Sequence, residues 1–85
     1  MDSNKILVLV YVPMIEKEYD IMVPINKKIK NVTRLINEAV AELSNGCFPI
    51  KNDLLLYERR TGNLLDVMKN VKDAGLVNGS QIILI

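Results

Sequence analysis

The sequence predicts an α+β fold in which one amphipathic helix packs across one face of a mixed five-stranded sheet. Three observations predict it. Two apolar, β-branched runs near the start are separated by a short connection, which is a hairpin pattern. From Ile29 the apolar residues recur every three or four positions, which is a helical stripe. The chain then returns to short strand-like runs, the last of which, Gln81–Ile85, is almost wholly apolar. A lone helix cannot bury its own stripe, so it must lie on the sheet.

The first strand spans Lys5–Val12 and has apolar side chains on both faces. Pro13 cannot donate to a ladder, so pairing lapses there and Met14 to Lys17 turn the chain. The second strand, Glu18–Val23, alternates: Tyr19, Ile21 and Val23 share one face, with Asp20 and Met22 on the other, and Pro24 closes it. A helix follows over Ile29–Ser44. Its stripe is Ile29, Val32, Leu35, Ile36, Ala39, Val40 and Leu43, with Lys30, Arg34, Asn37, Glu38 and Glu42 opposite. Asn26 is the expected cap, and Asn45-Gly46 supplies the stop. Leu54–Tyr57 and Asn63–Asp66 read as two short strands around the polar turn Glu58-Arg-Arg-Thr-Gly62. Val71–Leu76 reads as one helical turn, Asn78-Gly79 as a tight turn, and Gln81–Ile85 as a central strand beside the first.

Composition narrows the function. A chain of 85 residues, 49% hydrophobic and 25% charged, is one small folded domain, residues 1–85. Eleven Lys and Arg against ten Asp and Glu leave +1, which is no electrostatic footprint for nucleic acid. There is no histidine and one cysteine, Cys47. A disulfide framework, the common zinc sites and any imidazole-based triad are therefore excluded. Cys47 has no basic neighbour in sequence to activate it and reads as a half-buried structural thiol. The glycines are isolated at turns, so no phosphate loop or other cofactor motif exists. Met1-Asp2-Ser3-Asn4 is not a cationic leader, and the run Ile6–Val12 falls far short of the roughly 20 residues of a membrane span. The expectation is a cytoplasmic protein that does not insert in membranes and works by binding.

Several segments carry a family likeness. Ile29-Lys-Asn-Val32 at the helix start, Leu65-Asp66, Val71-Lys-Asp-Ala-Gly-Leu76 and Ile82-Ile-Leu84 fall at the spacing of ubiquitin, so the chain resembles the ubiquitin-like β-grasp superfold. Tyr19-Asp-Ile-Met-Val23, leading through Lys27-Lys28 into the helix, and Asp73-Ala-Gly-Leu-Val-Asn-Gly-Ser-Gln-Ile82 resemble the small bacterial ubiquitin-like proteins of the YukD type, associated with type VII secretion loci of Gram-positive bacteria. Ubiquitin and the sulfur carriers of this fold act through a flexible Gly-Gly tail. This sequence ends on Leu84-Ile85, which is expected to be strand, so the resemblance implies a non-conjugating member.

The resemblance assigns Ile82 and Leu84 to the core and turns Ile83 and Ile85 outward, on the face through which ubiquitin meets most of its partners. Alternation places Leu55 beside them. Such an apolar cluster reads as an interaction surface; the competing reading is cover by the Arg59-Arg60 loop. Arg59 and Arg60 sit at the adjacent turn, where they read either as the rim of an interface or as a solvated turn. Lys27, Lys28 and Lys30 crowd the positive end of the helix dipole, which either suits an acidic partner or is simply tolerated.

The expected function is that of a non-enzymatic adaptor or regulator docking a protein, such as a type VII secretion component, through Leu55, Arg59, Arg60, Ile83 and Ile85. The alternatives are a self-associating β-grasp module forming a homo-oligomer, and a ubiquitin-like modifier or carrier.

Overall fold

The computed structural model describes residues 4–85. Their elements run β1 (Lys5–Val12), β2 (Lys17–Pro24), α1 (Ile29–Leu43), β3 (Leu56–Glu58) and β4 (Gln81–Leu84). The strands lie in the order β2-β1-β4-β3. β1 and β2 form an antiparallel hairpin from Lys5 opposite Pro24 to Val12 opposite Lys17. β4 runs parallel to β1 and antiparallel to β3, so the sheet is mixed and its two centre strands are the most apolar. That is the position expected for the final strand.

Among the described residues four strands form where five are expected. Asn63–Asp66 touches β3 at one bridge, Tyr57 to Leu64, supported by the Leu65 amide on the Leu56 carbonyl at 3.0 Å and the Glu58 amide on that of Asn63 at 2.8 Å. Asp66 then bends the chain away. Its side chain accepts the Met68 amide at 2.9 Å and its carbonyl accepts that of Lys69 at 3.2 Å. Nothing is left to extend the pairing. Leu54 and Leu55 likewise lie outside β3, although Leu55 and Ile85 exchange two backbone bonds of 3.0 and 3.1 Å.

Period-two alternation puts Val8, Val10 and Val12 of β1, Ile21 and Val23 of β2, Leu56 of β3, and Ile82 and Leu84 of β4 on one face, all buried. Ile29, Val32, Ile36 and Val40 of α1 cover them, and Phe48 joins the same core.

The helix is rotated relative to the expected stripe. Leu35 and Leu43 are exposed, at 42% and 54%, whereas Thr33 and Asn37 are buried. The cause is polar. Asn37 Nδ2 donates to the Pro49 carbonyl at 3.0 Å, and its Oδ1 accepts the Lys51 amide at 2.8 Å. Thr33 Oγ1 donates to the Ile29 carbonyl at 2.7 Å. These bonds satisfy both side chains, so burial costs them little. The expected Asn26 cap is also replaced. Lys28 is the N-cap and makes no side-chain cap bond; the Ile29 and Lys30 amides donate instead to the carbonyls of Lys69 and Val67, at 2.8 and 3.1 Å. At the other end Gly46, at φ 82°, returns its amide to the Ala41 carbonyl at 2.8 Å, the left-handed stop that glycine allows.

Candidate docking face

The sheet face opposite the helix is built from the other half of each alternating strand. Paired residues share a face, so register alone defines a row across it: Glu18 of β2 beside Tyr11 of β1, Tyr11 beside Ile83 of β4, Ile83 beside Tyr57 of β3, and Tyr57 beside Leu64. One step along, Asp20, Leu9 and Gln81 form a second row. Arg59 lies next to it, its amide bonded to the Gln81 carbonyl at 3.0 Å. Leu7 and Met22 extend the face at one end, and Leu55 and Ile85 at the other.

Arg59 does not stay at the rim. Its side chain crosses the sheet from the β3 side. The guanidinium carbon stands 4.6 Å from the centre of the Tyr11 ring, and Nη1 donates to Glu18 Oε2 at 2.6 Å. An aromatic face attracts the cation and a carboxylate fixes its far end. The patch is therefore strapped by a polar side chain in its middle, and the Arg59 side chain covers part of it.

The structure places the expected residues as follows. Ile83 is half-buried between two tyrosines, and Ile85 is exposed at 57%. Leu55 pairs with Ile85 but lies at the margin, where it also lines a groove of about 320 Å³ with Lys30, Thr33, Arg34 and Asn37. Arg60 is exposed and lines a separate cleft of about 500 Å³ beside Asn78, Gly79 and Ser80. Ile83, Ile85 and Leu55 are thus brought together, Arg59 is laid across their neighbours, and Arg60 stands apart. Sequence reasoning missed Tyr11, Tyr57 and Leu64. Alternation about the buried Leu56 carried the signal for Tyr57. The pairing of Leu64 depends on a turn whose geometry sequence leaves open.

Cys47 is exposed, which corrects the half-buried expectation. The Phe48 amide donates to Ser44 Oγ at 3.1 Å, and the turn so formed points Phe48 into the core and the thiol outward. Among the described residues no group of three or more His, Cys, Asp or Glu is placed to hold a metal ion, and no helix is long and apolar enough to cross a membrane. An apolar and aromatic face held by one arginine offers contact area to a protein partner.

A scan against protein-family models finds no match, nor does a search of curated protein sequences. Solved structures do match. The chain is similar to the ubiquitin-like domain of the Mycobacterium tuberculosis type VII secretion system protein EccD1, with TM-score 0.76 and 14% identity over 95% of this chain and 97% of that one. It is similar to a ubiquitin-like domain of an Arabidopsis thaliana protein, with TM-score 0.65 and 24% identity over 96% and 77%. It also matches 21% of a chain in the MycP5-free ESX-5 inner membrane complex, over 96% of its own length, with TM-score 0.70 and 11% identity. The fold is a ubiquitin-like β-grasp.

Proposed function

We propose that this chain is a non-catalytic, cytoplasmic ubiquitin-like adaptor of the YukD type that serves a type VII secretion apparatus by docking one of its proteins without covalent attachment. The observation that carries the docking mode is the cross-strand row Tyr11, Ile83, Tyr57 and Leu64 on the uncovered sheet face. Aromatic and aliphatic side chains beside a positioned arginine match the composition of protein interfaces. The similarity to EccD1 and to a chain of the ESX-5 inner membrane complex, together with the two YukD-like segments, supports the choice of apparatus.

The test is an affinity pull-down from the native host with wild type and Ile83→Asp, both first checked by circular dichroism. A secretion-apparatus protein retained by wild type and lost by the folded variant is the expected result. Unfolding of Ile83→Asp would place Ile83 in the core, and equal retention would move the site off this face. Recovery of the chain alone, with a mass by light scattering that rises with concentration, would favour self-association. Intact mass from the same cells is expected at the free-chain value; a covalent adduct would favour a modifier.

A further inference from the structure

Five lysines gather at the pole of the molecule where α1 begins. Lys27, Lys28 and Lys30 come from one segment, Lys69 and Lys72 from another. Backbone bonds stitch the two together. The Ile29 amide reaches the Lys69 carbonyl at 2.8 Å, that of Lys30 reaches Val67 at 3.1 Å, that of Val71 reaches Lys27 at 3.0 Å, and that of Lys72 reaches Ile25 at 3.1 Å. Lys28 also bridges to Asn70. All five lysines are exposed, and among the described residues the ion pair lies elsewhere, between Arg59 and Glu18. The acids of the same segments are Asp66 and Asp73, so the pole carries a surplus of three positive charges on a chain whose total is +1. The far end of α1 carries Glu38 and Glu42, with no acid in the first turn and no base in the last. Both placements oppose the helix macrodipole, so helix stability does not account for them.

We propose that this lysine pole docks the protein on an anionic lipid bilayer surface. Three features favour that occupant. The first amides of α1 are already bonded to the carbonyls of Lys69 and Val67, so no amide cradle remains for a discrete phosphate. The five cations of the two stitched segments are lysines, compact hydrated charges suited to a diffuse negative surface, and the nearest arginine, Arg34, lies one turn further along α1. Between the two capping residues, Val67 and Lys69, Met68 stands 56% exposed; an apolar side chain among lysines is the pattern of an interfacial contact. The polar charge distribution orients the molecule as well, since a charged plane attracts the lysine pole and repels the Glu38 and Glu42 end. The sheet face then stays free for a protein.

Vesicle co-sedimentation of the full chain tests this, with phosphatidylcholine alone and with equimolar phosphatidylcholine and phosphatidylglycerol. Binding to the anionic vesicles only, weakening as salt rises, is expected. One lysine near such a surface is worth about fivefold in partitioning, so Lys28→Glu with Lys69→Glu lowers binding about twentyfold or more. Lys17→Glu, a charge reversal at the far end of the β1–β2 hairpin beside Val12, leaves it within about twofold of wild type. Circular dichroism confirms that both variants fold. Absence of binding to anionic vesicles, equal binding to both vesicle types, or equal losses in the two variants overturns the proposal. If the chain ignores anionic vesicles and captures poly-glutamate in solution, the occupant is an acidic protein segment instead.

Discussion

Arg59 and Tyr11 are joined across two strands: the guanidinium carbon lies 4.6 Å from the ring centre, and the same group reaches on to Glu18, 41 positions away in sequence. A turn residue is thereby folded back over the face it borders. The ion pair is between side chains 33% and 44% exposed, so solvent screens it and its contribution is small. The ring contact adds a comparable amount.

Arg59→Ala is accordingly expected to cost about 1 kcal/mol or less of stability in urea denaturation. Its main effect is to uncover the Tyr11 ring, read as increased binding of an apolar dye to the folded variant. A loss of several kcal/mol would show that the strap is structural rather than a cover.

Asn37→Ala removes both bonds that hold residues 49–51 and leaves the Pro49 carbonyl and the Lys51 amide without their partner. The expected loss is about 2–3 kcal/mol, the range for unmade part-buried hydrogen bonds. Equilibrium urea unfolding measures it, and a change below the usual surface range of about 0.5 kcal/mol would mean that the loop re-bonds to water.

The rotated helix face separates two neighbours. Ile36→Ala empties a fully buried position and is expected to cost about 2–5 kcal/mol. Leu35→Ala, at an exposed position with good helix propensity in both residues, is expected to stay within about 0.5 kcal/mol. Thermal unfolding of the pair reads the difference; reversed magnitudes would restore the stripe that sequence periodicity implies.

Cys47, being exposed, is expected to react with a thiol reagent in the folded protein at a rate close to that in denaturant. Protection that requires unfolding for release would return the thiol to the interior.

The sequence was sufficient for the hairpin, the helix and the central last strand, because each rests on a local period and a local breaker. Lys5–Val12 is a short β-branched run too brief for a helix, and Tyr19, Ile21 and Val23 alternate with Asp20 and Met22; Pro13, Pro24 and Gly46 end their elements; Gln81–Ile85 is too apolar for an edge. The outward direction of Ile83 and Ile85 came from the likeness to ubiquitin, and alternation extended it to Leu55. The family likeness to ubiquitin agrees with the fold that the solved structures share.

Tertiary structure decided what depends on partners distant in sequence. Asn37 looks like a solvent residue on a helical wheel and is buried because Pro49 and Lys51 arrive to bond it. The fifth strand fails because Asp66 turns the chain toward the helix start after a single bridge. Arg59 crosses the sheet rather than framing it, since Tyr11 and Glu18 offer it a ring and a carboxylate on strands brought beside it only by the fold. Lys69 and Lys72 meet Lys27, Lys28 and Lys30 for the same reason: backbone bonds between segments about 40 residues apart carry no signature in either segment alone. Periodicity reports which side of an element is apolar, and only the packed chain determines which polar groups find each other.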